Sequence, residues 1–390
     1  MLNFEYYAPT KVFFGKERET ETGEIIANYG YKKIMLIYGQ GSIKKNGLYD
    51  SVTNSLKSHD IDFVEMGGVE PNPKIEFVRD AVKLAKDEEV ELILAVGGGS
   101  VIDAAKYTAL GAVSEYDVWD FVEGKQKPTT ALPIGCILTI AAAGSEMSWS
   151  AVVTDLSLNM KRGLATDLVR PLVAVCNPEL TYSVSPYQTA CGITDILAHT
   201  MERYFTPCEP VDITDSIAES IMRTVINSAK VVMKNPRDYE ARANIMWASS
   251  LSHNNLTGCG RINALPVHQL EHALSGEFDS VAHGAGLAVL FPAWAKYVYV
   301  HNIPRFAQFA RNVWGVTETD DKLAAQKGIY AMSEFFKSIG MPTTLAELGV
   351  SKCAIDRLTQ LCTFGNTRTI NSVIPLSQKE IFDIFNLCAS

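Results

Sequence analysis

The chain has 390 residues, of which 47% are hydrophobic and 20% are charged, and its 35 basic and 44 acidic residues leave a formal net charge of −9. This composition is typical of a globular protein and excludes an intrinsically disordered chain, and the length suggests two domains. Because the chain is acidic and shows no clustered basic face, we expect it to bind neither nucleic acid nor an anionic membrane.

The chain also lacks the usual signals for export or membrane insertion. Its longest apolar stretches fall well short of the ~20 residues that cross a bilayer. Residues 1–16 mix charges with aromatic residues and have no apolar block followed by a cleavage site. The eight cysteines are scattered without CxxC pairs, unlike those of a small secreted disulfide scaffold. We therefore expect a cytoplasmic protein with reduced thiols.

The first 180 residues alternate short apolar runs with longer segments of helical periodicity, which predicts a parallel sheet with flanking helices. The predicted strands are 33–38, 61–66, 91–96 and 133–140, and the predicted helices are 47–57, 74–87 and 101–109. After about residue 180 helical periodicity dominates. The sequence thus predicts an α/β domain over residues 1–180 and an all-helical domain over residues 181–390.

Two turns rich in glycine and serine follow predicted strands, at residues 39–42 and 97–100. Glycines let a ligand approach the backbone, and the N–H groups at a helix N-terminus attract negative charge. Either turn alone is equally compatible with a simple tight connection. Because ligands of open α/β sheets bind at the carboxyl ends of the strands, the two turns together predict a phosphate-bearing ligand at that edge.

A second group of residues suggests a metal. Asp195 and His199 are four residues apart, as are His268 and His272, so each pair lies on one face of a predicted helix, and His283 follows among small residues. A single histidine in such a position is usually a core residue whose hydrogen bonds are satisfied within the protein. Several buried polar groups need a shared partner, which a divalent ion supplies.

The predicted donor set favours Fe(II), with Zn(II) as a close second. Spacing leaves open whether His268 or His272 is the spare histidine. Nearby, Glu202 and Glu271 are expected to be solvated or paired, and no role is assigned to His253 or His301.

Taken together, these motifs resemble the iron-containing alcohol dehydrogenase family, in its butanol dehydrogenase and broad-range aldehyde reductase branch. The resemblance covers nearly the whole chain. Besides the Asp195 and histidine group, it is carried by the segments 11–15, 38–45, 71–73, 97–100 and 144–146, with Asp103 and Lys106. The chain departs from the family pattern at Ala143, where a threonine is common, and at Asn177, where an aspartate is usual.

The resemblance implies specific residues for each role. Asp195, His199, His268 and His283 would bind the metal, and His272 would be a nearby catalytic histidine that carries a proton. A dinucleotide site would be formed by Gly39, Gln40, Ser42, Pro71, Gly97, Gly98, Gly99, Ser100, Asp103, Thr139 and Lys161. The resemblance also implies a homodimer.

The function implied is that of a metal-dependent, NAD(P)(H)-linked alcohol dehydrogenase or aldehyde reductase for short-chain primary substrates such as butanol and butanal. We predict NADP(H) over NAD(H), because the turn after Tyr38 has no acidic residue for the ribose 2′-hydroxyl and is followed by Lys44 and Lys45. The alternatives are a polyol (glycerol-type) dehydrogenase, a dehydroquinate synthase-like lyase of the same fold, or a non-catalytic binding protein.

Overall fold

The computed structural model describes residues 1–389. They divide into two compact units. One unit comprises Tyr7–Val184, and the other comprises the residues from Ser185 onward together with Met1–Tyr6. The N-terminal segment is attached to the second unit by a hydrogen bond from the Leu2 N–H to the Gly260 carbonyl, at 2.8 Å.

The first unit is built on a six-stranded parallel sheet and a separate two-stranded antiparallel ribbon. The strands are β1 (Lys11–Phe14), β2 (Lys33–Gly39), β3 (Asp62–Val69), β4 (Leu92–Gly97), β5 (Ile134–Leu138), β6 (Ser150–Asp155), β7 (Met160–Ala165) and β8 (Val173–Cys176). The sheet has the order β1-β8-β5-β4-β2-β3, and β6 pairs with β7 in the ribbon.

The helices of this unit are α1 (Thr22–Ala27), α2 (Ser42–Lys45), α3 (Leu48–Lys57), α4 (Ile75–Asp87), α5 (Gly99–Ala112) and α6 (Val118–Val122). The central strands are covered on both faces, since residues 34–37 of β2 have no exposed surface. A parallel strand buried on both faces reads as a continuous apolar run, which is why the sequence pattern identified β2 and β4.

Some strands were not predicted from the sequence. β1 and β8 have only four residues each, which is too short for a periodic pattern, and the β6–β7 ribbon also escaped notice. The predicted strand 133–140 is shorter than expected and ends at Leu138. Beyond it, the Thr139 N–H donates to the Gly97 carbonyl at 3.0 Å, so the chain turns at the sheet edge.

The second unit is helical. Its helices are α7 (Pro186–Tyr204), α8 (Asp212–Val232), α9 (Tyr239–His253), α10 (Pro266–Glu277), α11 (His283–Val298), α12 (Ile303–Trp314), α13 (Asp321–Ser338), α14 (Ile355–Cys362) and α15 (Gln378–Leu387). α7 begins where the Ser185 hydroxyl accepts a hydrogen bond from the Gln188 N–H at 3.2 Å, with Pro186 in the first turn. The predicted fold class is confirmed.

Two further observations concern membranes and thiols. None of the helices in residues 1–389 is long and apolar enough to span a bilayer. All eight cysteines, which lie within the same range, are free, and most of them are buried.

Candidate metal centre and nucleotide-binding edge

Helix α7 of the second unit carries several buried polar side chains, among them Asp195, His199 and Glu202. Asp195 and His199 are each 4% exposed and Glu202 is 1% exposed. They lie four and three residues apart, so they share one face of the helix. The histidines that surround them come from α9, α10 and α11.

Three histidines converge on one oxygen of Asp195. Their Nε2 atoms lie 3.4 Å (His199), 3.3 Å (His268) and 3.8 Å (His283) from the Asp195 Oδ1 atom. His272 lies beside this group, with its ring centroid 5.8 Å from that of His283. Spacing left open whether His268 or His272 is the spare histidine. The structure distinguishes the two, because His268 faces Asp195 directly.

A glycine allows His283 to reach this group. α11 begins at His283, and the next residue is Gly284. A Cβ atom at Gly284 would lie 2.3 Å from the carbonyl oxygen of Cys191 on α7. Any other residue would push the start of α11 away from α7, and His283 with it.

Two buried glutamates contact two of these rings at Nδ1, on the side that faces away from Asp195. The Nδ1 atom of His268 contacts a carboxylate oxygen of Glu202, and the Nδ1 atom of His283 contacts Glu271. Both glutamates are 1% exposed or less. An imidazole whose Nδ1 atom is held by a carboxylate presents its Nε2 atom on the opposite side of the ring, here toward Asp195.

The sequence reasoning treated these glutamates only as solvated or paired residues and so missed their orienting position. A signal was present, because Glu202 follows His199 by three residues and Glu271 follows His268 by three. That spacing places carboxylate and imidazole on the same helix face. The structure shows that Glu202 in fact contacts the histidine of the neighbouring helix.

Charge and burial act differently on the two most buried histidines. Burial lowers the pKa of His268, but Glu202 and Asp195 outweigh this effect and raise the pKa to about 9. The pKa of His199 lies well below its usual range because of burial and its basic neighbours, His253 first. His199 is therefore a neutral imidazole, and His268 lies where carboxylates stabilise positive charge.

This donor set fits a divalent ion. Imidazole nitrogen and carboxylate oxygen are ligands of Fe(II) and Zn(II). Ligand atoms about 2.1 Å from a tetrahedral ion lie about 3.4 Å from one another. The separations of His268 and His199 from the Asp195 oxygen, 3.3 and 3.4 Å, match that value, and the ligand atoms of these three residues all lie within 4.8 Å of one another. The separation of His283 is longer, at 3.8 Å.

In the first unit, the predicted phosphate-binding turns lie at one edge of the sheet. β4 lies between β2 and β5, and the parallel pairing sets Tyr38 beside Val96 and Gly97 beside Leu138. The segments that follow these three strands therefore leave the sheet side by side. This edge holds the turns 39–42 and 97–100 and the residue Thr139.

The three glycines after β4 are not equivalent. A Cβ atom would lie 2.5 Å from Val101 at Gly97 and 3.3 Å from Ile140 at Gly98. At Gly99 the nearest atom, in Ala143, would be 3.7 Å away, which is an ordinary contact. A side chain is thus excluded at Gly97 and crowded at Gly98, whereas Gly99 begins α5 with space at its Cα, at a helix N-terminus that favours negative charge.

Asp103 is placed differently from the other predicted cofactor residues. It is buried, and its two carboxylate oxygens accept hydrogen bonds from the Ser145 hydroxyl at 2.7 Å and the Val152 N–H at 3.0 Å. Lys106 donates to the same Ser145 hydroxyl at 2.9 Å. Asp103 thus fixes the segment after Gly144 to α5, and its oxygens are occupied by the protein itself.

The remaining predicted cofactor residues are spread over several elements. Gln40 and Ser42 are exposed at the end of β2, in a turn where Gly41 has a φ of 109° that favours glycine. Pro71 is exposed after β3, and Lys161 is mostly buried on β7. The structure brings Gln40 and Ser42 to the sheet edge, and it holds Lys161 on the ribbon.

A carboxylate that the sequence reasoning missed, that of Glu65 on β3, lies near the first turn. The Lys44 ammonium is 3.4 Å from a carboxylate oxygen of Glu65 on β3 and lies over the rings of Tyr38 and Tyr49, 4.8 and 4.5 Å from their centroids. The phenol of Tyr49 also contacts Glu65. An acidic residue thus lies beside this turn, on the neighbouring strand.

One departure from the family pattern has a clear local partner. The Asn177 side-chain amide donates to Glu19 at 2.9 Å, and its carbonyl accepts from the Glu179 N–H at 3.0 Å. An aspartate would place a second carboxylate against the buried Glu19. The asparagine therefore matches its own surroundings in this chain.

The chain is similar to known proteins over nearly its whole length. Residues 9–178 match the model of the family described as iron-containing alcohol dehydrogenase, and residues 189–388 match its C-terminal domain. The chain is 41% identical to NADH-dependent butanol dehydrogenase A of Clostridium acetobutylicum, over 99% of each chain. It is 36% identical to the NADPH-dependent aldehyde reductase YqhD of Escherichia coli, over 92% of each.

The fold comparison is equally extensive. The solved structure of NADH-dependent butanol dehydrogenase A from Thermotoga maritima superposes with a TM-score of 0.97 at 38% identity, covering 100% of this chain and 99% of that one. Both halves of the sequence and the whole fold thus point to the same group. The chain belongs to the iron-containing alcohol dehydrogenase family, which confirms the family and the enzyme class predicted from its sequence.

Proposed function

We propose that this enzyme is a metal-dependent, NAD(P)(H)-linked alcohol dehydrogenase and aldehyde reductase that acts on short-chain primary substrates such as butanol and butanal. The observation that carries the proposal is the convergence of three imidazole Nε2 atoms on one oxygen of Asp195. The similarity to butanol dehydrogenases and to an aldehyde reductase supports the substrate class.

In this proposal Asp195, His199, His268 and His283 bind the ion, Fe(II) in preference to Zn(II). A divalent ion there would act as a Lewis acid on the oxygen of an alcohol or aldehyde, and a bound nicotinamide would accept or supply the hydride. The protein side chains hold the donor atoms in place. Glu202 and Glu271 keep two of the rings turned toward Asp195.

His272 is the proposed proton carrier. It lies on α10 one turn after His268, and its ring centroid is 6.4 Å from that of His268. Its side chain is only partly buried, so it can exchange a proton with an alcohol oxygen on one side and with solvent on the other.

The nucleotide is proposed to bind at the carboxyl edge of the sheet. The Gly97, Gly98, Gly99 and Ser100 turn and the N-terminus of α5 would hold the pyrophosphate, with Asp103 in support. Other parts of the cofactor would contact Gly39, Gln40, Ser42, Pro71, Thr139 and Lys161. The adjacency of β2, β4 and β5 supports this assignment.

We further propose a preference for NADP(H). The support is a turn without an acidic residue, followed by Lys44 and Lys45. Glu65 acts in the opposite direction, because it shares the charge of Lys44. The relatives include both NADH- and NADPH-dependent enzymes. We infer that the balance of charge within this lysine–glutamate pair contributes to the preference.

The enzyme is also proposed to act in the cytoplasm as a homodimer. Eight free cysteines, most of them buried, are consistent with a reducing compartment. The dimer rests on the family resemblance.

The test is anaerobic NADPH oxidation with butanal, using protein stripped by a chelator and then supplied with Fe(II) or Zn(II). We expect activity only after metal is restored, and higher activity with Fe(II). Asp195→Ala should lose both ion and activity, whereas His272→Ala should retain the ion and lose turnover. Full activity of metal-free protein, or an Asp195→Ala variant with unchanged metal content, would contradict the proposal.

A further inference from the structure

His199 is held differently from the other two histidines that face Asp195. His268 and His283 each contact a buried glutamate through Nδ1. The Nδ1 atom of His199 is buried, and no residue between 1 and 389 forms a hydrogen bond with it. Rotation of an imidazole about its second side-chain torsion is broad, so some other contact must fix this ring.

That contact is provided by two neighbouring rings. The centroid of His199 lies 4.0 Å from that of His253, with 35° between the ring planes, and 4.0 Å from that of His268, with 26° between the planes. Glu202 already fixes His268. His253, the last residue of α9, is therefore the second support of the His199 ring.

His253 is in turn fixed by Arg203. An Nη2 atom of Arg203 lies 2.7 Å from the Nδ1 atom of His253, and its Nη1 atom donates to the carbonyls of His199 and Ser252, at 2.8 and 3.2 Å. Since a guanidinium only donates, the Nδ1 atom of His253 accepts, and the ring carries its proton on Nε2.

The Arg203 guanidinium is placed to hold His253 in one position. Arg203 is 4% exposed and follows His199 by one turn of α7. Burial lowers its pKa to about 10, so it stays charged at neutral pH. Its planar fork holds the end of α9 against the backbone of His199 itself.

We propose that His253, held by Arg203, is a positioning residue that keeps the His199 imidazole turned with Nε2 toward Asp195. This inference rests on the proposed function, because it takes His199 as a metal ligand. The His253 ring then does for His199 what Glu202 and Glu271 do for the other two histidines. It acts through a close contact between two tilted rings in place of a charged hydrogen bond.

The test compares metal release from loaded protein. Wild type, His253→Ala and His253→Phe are loaded with Zn(II), and release to a chromogenic chelator is timed; parallel samples loaded with Co(II) report ligand geometry through their visible absorption bands. His301→Ala is the matched control, since His301 is exposed on a short 3₁₀ helix after α11.

We expect His253→Ala to release the ion about tenfold faster than wild type and to change the Co(II) bands, as loss of a supporting contact typically does. His253→Phe should release the ion at a rate close to that of wild type, because an aromatic ring still faces His199. His301→Ala should match wild type.

Two outcomes would overturn the inference: unchanged release and bands in His253→Ala, or a His253→Phe variant as fast as His253→Ala. The phenylalanine variant keeps the test decisive if the alanine variant folds poorly. Wild-type ion content is measured first. A wild-type chain that retains no ion would contradict the proposed function, and this inference with it, whereas slow wild-type release with unchanged variants contradicts the inference alone.

Discussion

Glu202 and His268 are joined through both backbone and side chain. One oxygen of the Glu202 carboxylate accepts the backbone N–H of His268 at 3.1 Å, and the other contacts the Nδ1 atom of the same residue. The first oxygen also accepts the Val267 N–H at 2.5 Å. A single buried carboxylate thus accepts two N–H groups in the first turn of α10, where negative charge is favourable, and orients the His268 ring in that turn.

Glu202→Gln should therefore weaken metal binding. The amide keeps the size of the side chain but loses the charge and turns one donor toward groups that are themselves donors. We expect metal affinity to fall by about 10- to 100-fold, measured by competition with a chelator of known affinity. Glu209→Gln, at an exposed position, is the control. Equal affinity in the two variants would show that Glu202 has no such role.

Gly99→Ala should separate nucleotide binding from folding. An added methyl group at Gly99 meets only Ala143, at 3.7 Å, whereas the same change at Gly97 places it 2.5 Å from Val101. We expect Gly99→Ala to keep its melting temperature and to raise the Kd for NADPH by about tenfold, or about 1.4 kcal/mol. Gly97→Ala should melt at a lower temperature. Undiminished NADPH affinity in Gly99→Ala would mean that no ligand approaches this backbone.

Glu65→Gln should increase the preference for NADPH. Removing the carboxylate leaves the charge of Lys44 available to a 2′-phosphate, and the interaction is exposed, so the expected rise in the kcat/KM ratio of NADPH to NADH is about threefold. Lys44→Ala should lower the same ratio. Glu70→Gln, on the exposed segment after β3, serves as the control. A ratio that does not respond to either substitution would place cofactor choice elsewhere.

Lys106 should make stability depend on pH. Burial lowers its pKa from the ordinary 10.5 to about 8, although Asp103 opposes the shift. Between these values the unfolded chain still binds this proton while the folded chain has released it, so the free energy of unfolding rises with pH. Below about pH 8 both states are charged, and the full cost of the buried charge is present.

The measurement is denaturant unfolding of wild type and Lys106→Met from pH 7.5 to 10. Taking the difference removes the titration of other groups. The stability of wild type relative to Lys106→Met should increase over this range, by up to about 3 kcal/mol. A difference that is independent of pH would mean that Lys106 titrates normally in the fold.

Much of the fold was determined by local sequence pattern. A strand buried on both faces, such as β2 or β4, must be apolar throughout, and a helix with one buried face repeats every 3.6 residues. These rules act over a few neighbours, so the sequence alone predicted the sheet, the helical half and the shared face of Asp195 and His199. The same local rule could not identify β1 and β8, which are short and find their partners far along the chain.

The tertiary structure decided which distant groups meet. Glu202 contacts the histidine of another helix, Glu65 reaches Lys44 from the next strand, and the ring of His253 at the end of α9 contacts the ring of His199. Sequence spacing does not encode these distances, because they depend on how helices and strands pack after they form. The residue types in the site were therefore readable from the sequence, whereas the orientation of its rings and the balance of its charges were set only by packing.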